Sequence, residues 1–498
     1  MSKLKIGWAE ETLVPEGLKL SLAGQFYERI SEYVESEITA TALAVEADGE
    51  QMIMISADMT SLPTYILDMV REKFSQICDE VDPRKIVISA THTHTSHTIA
   101  NPEAGGTITA SKNILKEFFK GSKSYESLVV TDDSVMKPED ASEFVTDQIA
   151  LVAKNAWDNR NAGYYTNEFG RAPVGMCRRV CYNDGSAQMW GDSDTATFTG
   201  LEGGSDSGIE LIYTFDKDKK LSGVVANIAC PAQILEQRSF ISADFWGRAK
   251  SLIREKLGSE VYLLGLCGAG GDQCPRDLVR WVDPETPIDD PNVKRPYPKK
   301  RKADPSMFDI SGCNKVGRRI ANEIISVYEE IGEIKDSAVL EHKVIELDLP
   351  LRKATIAEYD NAVRELEYYA EKNKHKESLN FEDNAVMHVH SGTIARYREQ
   401  QFKEVYTIET HIIRFGDVVF CTNPFELFLD FGNRIKARSN AEQTFIVQLA
   451  NGRGGYLPTE RAEKAGHYSA YISSGNVGHE GGDLLVRKTV TEINKMFE

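Results

Sequence analysis

The segment Lys85-Ile-Val-Ile-Ser-Ala-Thr-His-Thr-His-Thr-Ser-His97 joins a short apolar run to three histidines within six residues. Apolar runs of about four to eight residues that end in polar turns are typical of buried strands. In α/β sheets, ligands bind beyond the carboxyl ends of the strands, and the histidines begin directly after this run. The segment therefore predicts a core strand at 85–89 of an α/β protein, followed by an active-site turn at Thr91 to His97.

Strand and helix patterns surround this segment on both sides. The run 5–12 predicts a strand, and the runs 41–47 and 51–56 predict a hairpin, because Asp48-Gly49 between them is a favoured two-residue turn. Apolar residues at helical spacing predict a helix over 62–80. The same patterns predict strands at 224–229, 261–265, 407–414 and 418–421, and helices at 141–158, 312–332, 356–372 and 393–404.

The whole chain is expected to form one large α/β domain over residues 1–498, with mixed sheets flanked by helices. Residues 101–140 are rich in Gly, Ser and Asp and show little periodicity, which predicts an insertion. Residues 281–305 contain six prolines and many charges, which predicts a second irregular excursion over the surface.

The charge balance argues against several classes of partner. Lysine and arginine total 58 against 76 aspartates and glutamates, for a net charge of -18, which repels phosphate backbones and anionic lipids. The sequence shows neither an export signal nor an apolar run long enough for a membrane span. We therefore expect a cytoplasmic enzyme with a small-molecule substrate, no nucleic-acid or membrane partner, and eight cysteines that are reduced thiols.

The histidine turn itself suggests chemistry. His92 and His94 stand two residues apart on an extended segment, so both side chains point to one face. Imidazole serves either as a metal ligand or as an acid or base near neutral pH. A zinc site needs about three or four ligands, usually from distant segments, so further ligands must come from elsewhere. A polar turn of hydrogen-bonded structural histidines is the alternative.

Other polar turns follow apolar strands further along the chain. Cys267-Gly-Ala-Gly-Gly-Asp272 has the glycines that let backbone amides bind an anion, and Asn423-Pro-Phe-Glu426 carries a carboxylate. Asn451-Gly-Arg-Gly-Gly-Tyr456 holds a tyrosine behind three glycines, which allow a close approach of the backbone. Each of these turns is ordinary when taken alone.

In their order along the chain, these pieces resemble the neutral ceramidase family, which are zinc amidases. The catalytic domain of that family carries a Thr-His-Thr-His turn, an Ala-x-His-Pro segment, a Gly-Asp-x-Ser-Pro turn, a Pro-Gly-Glu segment and a Gly-Tyr-x-x-Thr turn. Counterparts of all five, some altered, occur here in the same order, from the first strand at Lys5 to the C-terminal helix. The resemblance implies the α/β fold of that catalytic domain, without the C-terminal immunoglobulin-like domain of full-length members.

Carried over residue by residue, the resemblance implies a set of site residues. His92, Glu426 and Tyr456 resemble metal ligands, and His94 resembles the residue that contacts the reacting carbonyl. The family places a second site tyrosine twelve residues beyond the ligand tyrosine, and Tyr468 occupies that position here. The family's site arginine matches Arg178, with Arg179 as the alternative.

Two departures from the family pattern affect the expected chemistry. Ile228-Ala-Cys-Pro231 replaces Ala-x-His-Pro, which puts Cys230 at the position of the second histidine ligand, and Cys274 replaces the serine in Gly271-Asp-Gln-Cys-Pro275. A Cys230 thiolate can bind zinc, but it adds a negative charge that weakens the Lewis acidity of the ion. A small buried thiol beside an altered or absent metal site is the other interpretation of Cys230.

The resemblance implies a zinc- or other metal-dependent hydrolase that cleaves an amide, or an ester, in a small soluble substrate rather than ceramide. In this hypothesis His94, Tyr468 and Arg178 stabilise the oxyanion and assist the leaving group. A second hypothesis is a metal-independent hydrolase, with carbohydrate among its candidate substrates, that uses Cys230 or Cys274 as nucleophile or carboxylates such as Asp244 and Glu426 as acid and base. A third is a catalytically inactive binding protein. The oligomeric state stays open.

Overall fold

A computed structural model describes residues 4–25, 28–101, 107–118, 132–279, 310–376 and 381–498 of the chain. The predicted surface excursion at 281–305 lies outside the described residues, as does part of the predicted insertion at 101–140. None of the helices in the described ranges is both long and apolar enough to cross a bilayer.

The strands of the described ranges are numbered in chain order. They are β1 (Lys5–Thr12), β2 (Lys19–Leu20), β3 (Thr39–Ala47), β4 (Glu50–Ala57), β5 (Ile86–Ala90), β6 (Val135–Met136), β7 (Asn161–Ala162), β8 (Tyr164–Arg171), β9 (Met176–Cys177), β10 (Arg179–Tyr182), β11 (Ala187–Met189), β12 (Phe198–Leu201), β13 (Gly208–Phe215), β14 (Leu221–Ile228), β15 (Tyr262–Cys267), β16 (Gln273–Cys274), β17 (Leu340–Pro350), β18 (Val405–Phe415), β19 (Val418–Thr422), β20 (Phe425–Leu427), β21 (Gln443–Val447) and β22 (Gly455–Leu457).

The α-helices are numbered in the same way. They are α1 (Thr64–Ile77), α2 (Thr107–Phe118), α3 (Pro138–Asp158), α4 (Asp244–Leu257), α5 (Ile310–Glu329), α6 (Ile356–Lys372), α7 (Phe381–Glu399), α8 (Leu429–Lys436), α9 (Glu460–Ala465) and α10 (His479–Met496).

Three sheets share one topology. Sheet A has the strand order β5-β4-β3-β1-β7, sheet B has β15-β14-β13-β8, and sheet C has β17-β18-β19-β21. In each sheet, antiparallel strands lead to one parallel pair, which is β4 with β5, β14 with β15, and β19 with β21. The helices α1, α4 and α8 lie in the connections between the strands of these pairs. Paired parallel strands end on the same side of a sheet. In each sheet, the loops that follow the two strands of the parallel pair therefore leave from the same side, which we call the edge of the sheet.

The predicted hairpin of sheet A is confirmed, with β3 and β4 paired antiparallel from Ala40 opposite Ala57 to Ala47 opposite Glu50. Asp48 and Gly49 between them have φ of 52° and 82°, the positive values of a tight turn whose twist matches that of the strands. The hairpin therefore sets the register of the sheet that positions β5 and the histidine turn.

The three sheets meet in a shared apolar core, and helices cover their outer faces. Residues of all three sheets are buried together in this core, among them Leu43, Met54, Val225, Leu264, Phe420 and Phe445. Buried side chains of α1 and α3 pack on sheet A, those of α4 and α5 on sheet B, and those of α8 and α10 on sheet C. Burial of each large apolar side chain contributes roughly 1.5–3 kcal/mol, so the core holds the three sheet edges in fixed relative positions.

Two segments differ from the sequence prediction. The insertion at 101–140 contains the helix α2, whose Ile114 and Leu115 are buried against α6 and α7. The helix predicted at 393–404 begins earlier, at Phe381. Residues 383–392 of this helix include Asp, Asn, His, Ser and Gly, which have low helix propensity and hide the helical period.

Candidate active site

Seven polar side chains, from loops and short strands that follow strands of the three sheets, form a ring, which we call the polar ring. Its members are His92 and His94 after β5, Gln233 and Glu236 after β14, Glu426 on β20, Tyr456 on β22, and Arg178 between β9 and β10. The ring therefore joins the edges that the shared core holds in place.

The histidine turn begins with a strained residue. His92 has φ of 70°, a left-handed conformation that a non-glycine residue adopts at a cost of roughly 1–3 kcal/mol and that is common at functional sites. Its Nδ1 lies 2.7 Å from the carbonyl oxygen of Thr60, which only accepts hydrogen bonds, so Nδ1 carries the proton. His92 Nε2 is therefore left as an acceptor that faces the ring.

His94 presents its ring to the same point. Its Nε2 lies 3.2 Å from His92 Nε2, and its other nitrogen, Nδ1, lies 3.8 Å from Glu236 Oε2. Burial lowers the pKa of His92, and burial together with the neighbouring His92 lowers the pKa of His94 well below its usual value. Both imidazoles are therefore neutral near pH 7, as metal binding requires.

The third histidine of the turn has a structural role. His97 Nε2 donates to the carbonyl oxygen of Leu13 at 2.6 Å, and the side chain is buried away from the polar ring. Burial lowers its pKa to about 4. The alternative of structural, hydrogen-bonded histidines fits His97, and the roles of His92 and His94 stay predictions.

Glu426 and Tyr456 are placed side by side by sheet register. The strands β20 and β22 pair in parallel with Glu426 opposite Tyr456, so their side chains extend to the same face. Glu426 Oε2 lies 3.7 Å from His92 Nε2. A Cβ added to Gly271 would stand 2.2 Å from the backbone oxygen of Glu426, so only glycine permits this close approach.

Arg178 is the buried cation of the polar ring. Its guanidinium donates to Gln233 Oε1 at 2.9 Å, to the backbone oxygen of Gly271 at 3.0 Å and to the Tyr456 hydroxyl at 3.4 Å. Burial opposes its charge, but acidic groups around it, among them the Glu426 carboxylate, outweigh that effect and hold the pKa of Arg178 above its usual value. It is therefore a permanent positive charge within the site.

The alternative arginine, Arg179, has a different role. It forms a buried ion pair with Glu202, with nitrogen–oxygen distances of 2.7 and 3.1 Å. It also donates to the backbone oxygens of Gly466 and Tyr468. Arg179 thus holds the loop that carries Tyr468 but does not join the ring.

Tyr468 stands at the mouth of the site. Its side chain is 38% exposed, and its hydroxyl accepts a hydrogen bond from the Tyr456 hydroxyl at 3.3 Å. The flanking residues His467 and Ser469 have φ of 72° and 73°. Burial raises the pKa of both tyrosines, so both stay neutral phenols that can donate hydrogen bonds.

Gln233 and Glu236 are ring members that the sequence analysis missed. Gln233 Nε2 donates to Glu236 Oε2 at 3.0 Å, and Glu236 is only 6% exposed. They follow Cys230 by three and six residues in an irregular loop, so no periodic pattern marks them. Their place just beyond a core strand was the one available signal.

Three other candidate residues lie outside the polar ring. Cys230 belongs to an apolar cluster on sheet B, with its Sγ 3.6 Å from the carbonyl oxygen of Pro231, and its role as a metal ligand stays a prediction. Cys274 Sγ lies 3.4 Å from the Arg276 oxygen. Asp244 accepts backbone hydrogen bonds from Leu235 and Phe245, each at 2.7 Å, and thereby closes the loop before α4.

The side chains near the polar ring limit which atoms can bind a metal ion. Within the described ranges, no three or more His, Cys, Asp and Glu side chains are grouped so as to hold a metal ion. The phenol oxygen of Tyr456, opposite Glu426 in the strand pair, is a further donor of a different type.

Comparison with known proteins gives structural matches only. No protein-family model matches the sequence, and no curated protein matches it. The neutral ceramidase from Pseudomonas aeruginosa superposes with a TM-score of 0.66 and 13% identity, over 99% of this chain and 75% of that chain. The chain has the fold of the neutral ceramidases. A ceramidase complexed with C2 gives a TM-score of 0.65 and 12% identity, over 98% and 74% of the two chains.

Proposed function

We propose that this chain is a metal-dependent hydrolase that cleaves an amide or ester bond in a small soluble substrate. The observation that carries the proposal is the meeting of His92, Glu426 and Tyr456, from distant segments, in one buried ring beside Arg178 and Tyr468. The fold shared with neutral ceramidases supports the hydrolase class.

The donor set suits a divalent ion such as zinc. His92 offers a neutral Nε2 oriented by its hydrogen bond to Thr60, which is how proteins commonly fix a ligand histidine. The 3.7 Å between His92 Nε2 and Glu426 Oε2 is compatible with two ligands of one ion, because zinc bonds to nitrogen and oxygen are about 2.0–2.2 Å long. The Tyr456 oxygen retains a lone pair after its contacts with Arg178 and Tyr468.

A complete site does not require Cys230. Catalytic zinc sites typically have three protein ligands and keep a fourth position for water or substrate. His92, Glu426 and Tyr456 supply three such ligands, whereas the Cys230 thiol packs among apolar side chains. We therefore expect the metal, if zinc, to be bound by one nitrogen and two oxygen donors.

The protein's own groups account for stabilisation of the oxyanion. A bound divalent ion supplies Lewis acidity that lowers the pKa of water and polarises a carbonyl. Arg178 donates to Tyr456, and Tyr456 donates to Tyr468, so the proton of the Tyr468 hydroxyl is left for a substrate oxygen. Such chains polarise one another, and a donor aimed at the developing charge stabilises the transition state. His94 faces the same point as a second polar contact.

A cysteine nucleophile has less support. Burial raises the pKa of Cys274 to about 12 and raises the pKa of Cys230 well above its usual value. The thiolate is the reactive form of cysteine, so both groups are thiols near neutral pH. The metal-dependent hypothesis is therefore favoured over the version with a cysteine nucleophile.

Metal removal tests the proposed function. A panel of small 4-nitrophenyl esters and 4-nitroanilides is screened with purified protein before chelation, after chelation, and after zinc is added back. We expect hydrolysis to fall at least tenfold on chelation and to return with zinc. Cys230→Ser serves as the matched control and should show the same loss and return. Hydrolysis that survives thorough metal removal would overturn the proposal, as would a complete lack of turnover by the zinc-loaded protein.

A further inference from the structure

Glu236 is the second carboxylate of the polar ring and has a different setting from Glu426. Its Oε2 accepts a hydrogen bond from Gln233 Nε2 at 3.0 Å and lies 3.8 Å from His94 Nδ1. The residue is 6% exposed. Within the described ranges, no lysine or arginine side chain forms an ion pair with it. The carboxylate is thus buried without a lysine or arginine beside it, among the described residues, to balance its negative charge.

The backbone around Glu236 is held rigidly. Gln25 Nε2 donates to the backbone oxygen of Glu236 at 3.0 Å, and Arg29 donates to the backbone oxygen of Arg238 at 2.7 Å. A group fixed in this way loses little conformational entropy when a ligand binds. The loop therefore presents the Glu236 carboxylate in a set position.

The carboxylate faces the inside of the polar ring. Its Oε2 lies 3.8 Å from His94 Nδ1, and the other nitrogen of that imidazole lies 3.2 Å from His92 Nε2. Tyr468 is 38% exposed. A ligand that enters past Tyr468 and reaches His92 therefore passes within range of Glu236.

The nearest permanent cation is kept apart from Glu236 by an amide. Arg178 donates to Gln233 Oε1 at 2.9 Å, and the other end of the same amide, Gln233 Nε2, donates to Glu236. Burying an unpaired charge is unfavourable unless a partner neutralises it. The missing positive charge is supplied most simply by the ligand.

Resting on the proposed function, we propose that Glu236 is a specificity-determining residue that binds a protonated amine of the substrate near the carbonyl group that is cleaved. A primary ammonium offers both a positive charge and N–H donors to the carboxylate. Charge-assisted hydrogen bonds of this kind are among the strongest in proteins. The site would thus select amides or esters that carry a cationic nitrogen over neutral ones of the same size.

A matched pair of probes tests this inference without turnover. n-Propylammonium and n-propanol have the same size, but only the first carries a charge, and its nitrogen stays protonated near neutral pH and so does not bind a metal. Ligand-observed NMR titration gives both dissociation constants for the zinc-loaded protein and for the chelated protein. We expect the wild type to bind n-propylammonium about tenfold more tightly, or more.

Substitutions assign the preference to one residue. Glu236→Gln keeps the size of the side chain and an acceptor for Gln233 but removes the charge, so the preference should disappear. Glu255→Gln removes an equal charge from an exposed position on α4 and should leave the preference intact. Equal binding of both probes by the wild type would overturn the inference, as would a preference that persists in Glu236→Gln.

The two proposals fail in distinguishable ways. The wild-type comparison requires neither catalysis nor a folded variant, so it remains decisive if Glu236→Gln does not fold. A loss of zinc-dependent hydrolysis with an intact preference for the ammonium would remove the proposed function alone. A lost preference with intact zinc-dependent hydrolysis would remove the role of Glu236 alone.

Discussion

Two pairs of buried histidines lie in this molecule, and their surroundings differ. His342 Nε2 and His411 Nδ1 lie 2.8 Å apart on the neighbouring strands β17 and β18. The remaining nitrogens contact the Gln51 oxygen at 3.0 Å, and Glu409 and Asn451 each at 2.8 Å. His92 and His94 meet at 3.2 Å, but their nearest carboxylates stand at 3.7 and 3.8 Å.

The difference separates a structural pair from a candidate functional pair. Around His342 and His411 every ring nitrogen has a partner at normal hydrogen-bond length, as satisfied buried polar groups do. Around His92 and His94 the carboxylates are beyond direct hydrogen bonding, and we expect an ion or a substrate group to complete these contacts. Contact length therefore indicates function better than the number of histidines.

The largest expected effect concerns His92. His92→Ala removes the only nitrogen donor of the proposed ligand set, so turnover should fall by about a thousandfold or more, equivalent to about 4 kcal/mol of transition-state stabilisation. The free energy of unfolding should fall by less than in His411→Ala, because the short contact of the His92 side chain is to the Thr60 oxygen at 2.7 Å, and its contact to His94 is longer, at 3.2 Å. Steady-state kinetics and thermal unfolding of the same preparation measure both quantities. Turnover within tenfold of the wild type would remove the functional half of the comparison.

The reverse pattern is expected at the structural pair. His411→Ala leaves His342 Nε2 and the Asn451 amide without their partner in the core, so the free energy of unfolding should drop by about 3 kcal/mol. The folded fraction should keep its bound metal and its turnover. Urea denaturation measures the first expectation. A drop smaller than that caused by His92→Ala would show that the two pairs have been assigned the wrong way round.

A smaller effect is expected at the mouth of the functional site. Tyr468→Phe removes the hydroxyl at the end of the Arg178–Tyr456–Tyr468 chain, so kcat should fall about a hundredfold, or about 2.7 kcal/mol. Bound metal should be unchanged, since Tyr468 is not one of the proposed ligands. Unchanged kcat in this variant would exclude Tyr468 from oxyanion stabilisation.

The smallest effect is a pH dependence of stability at the structural pair. Burial and the neighbouring His411 lower the pKa of His342 well below 6.5. As pH falls, the His342 imidazole therefore takes up a proton in the unfolded chain before it does so in the folded protein. The free energy of unfolding that is present above pH 6.5 is lost at lower pH, by up to about 1.4 kcal/mol per pH unit. Glutamine does not titrate, so His342→Gln should show a slope smaller by one proton in this range. The slope is measured by urea denaturation at several pH values below 6.5. Equal slopes of the free energy of unfolding against pH in the wild type and in His342→Gln would contradict a neutral, hydrogen-bonded His342.

Local patterns in the sequence predicted much of the fold. The hairpin of β3 and β4 and the helix α6 follow from a two-residue turn and from helical spacing, and both are confirmed. The resemblance to neutral ceramidases is confirmed for the fold. The early start of α7 was missed because Asp383, Asn384 and Gly392, which have low helix propensity, interrupt its pattern, while the tertiary packing of Met387 stabilises it.

The site was predicted less completely than the fold. Motif order predicted His92, Glu426 and Tyr456 as site residues, and their roles stay predictions. His92 follows a strand of sheet A, whereas Glu426 and Tyr456 lie on β20 and β22, and no local pattern relates these segments. Glu236 was missed because it lies in an irregular loop, whose backbone oxygens accept hydrogen bonds from the side chains of Gln25 and Arg29. Cys230 is the opposite case, a residue that a motif position predicted as a metal ligand. A motif position gives no information on the direction in which a side chain packs.

Metal stoichiometry tests the central claim most directly. Elemental analysis of purified, zinc-saturated and desalted protein is applied to the wild type, Glu426→Gln and Cys230→Ser. If the metal is bound by His92, Glu426 and Tyr456, the wild type and Cys230→Ser should each hold close to one zinc per chain. Glu426→Gln should hold far less. Equal zinc in all three proteins, or zinc that is lost only with Cys230, would contradict it.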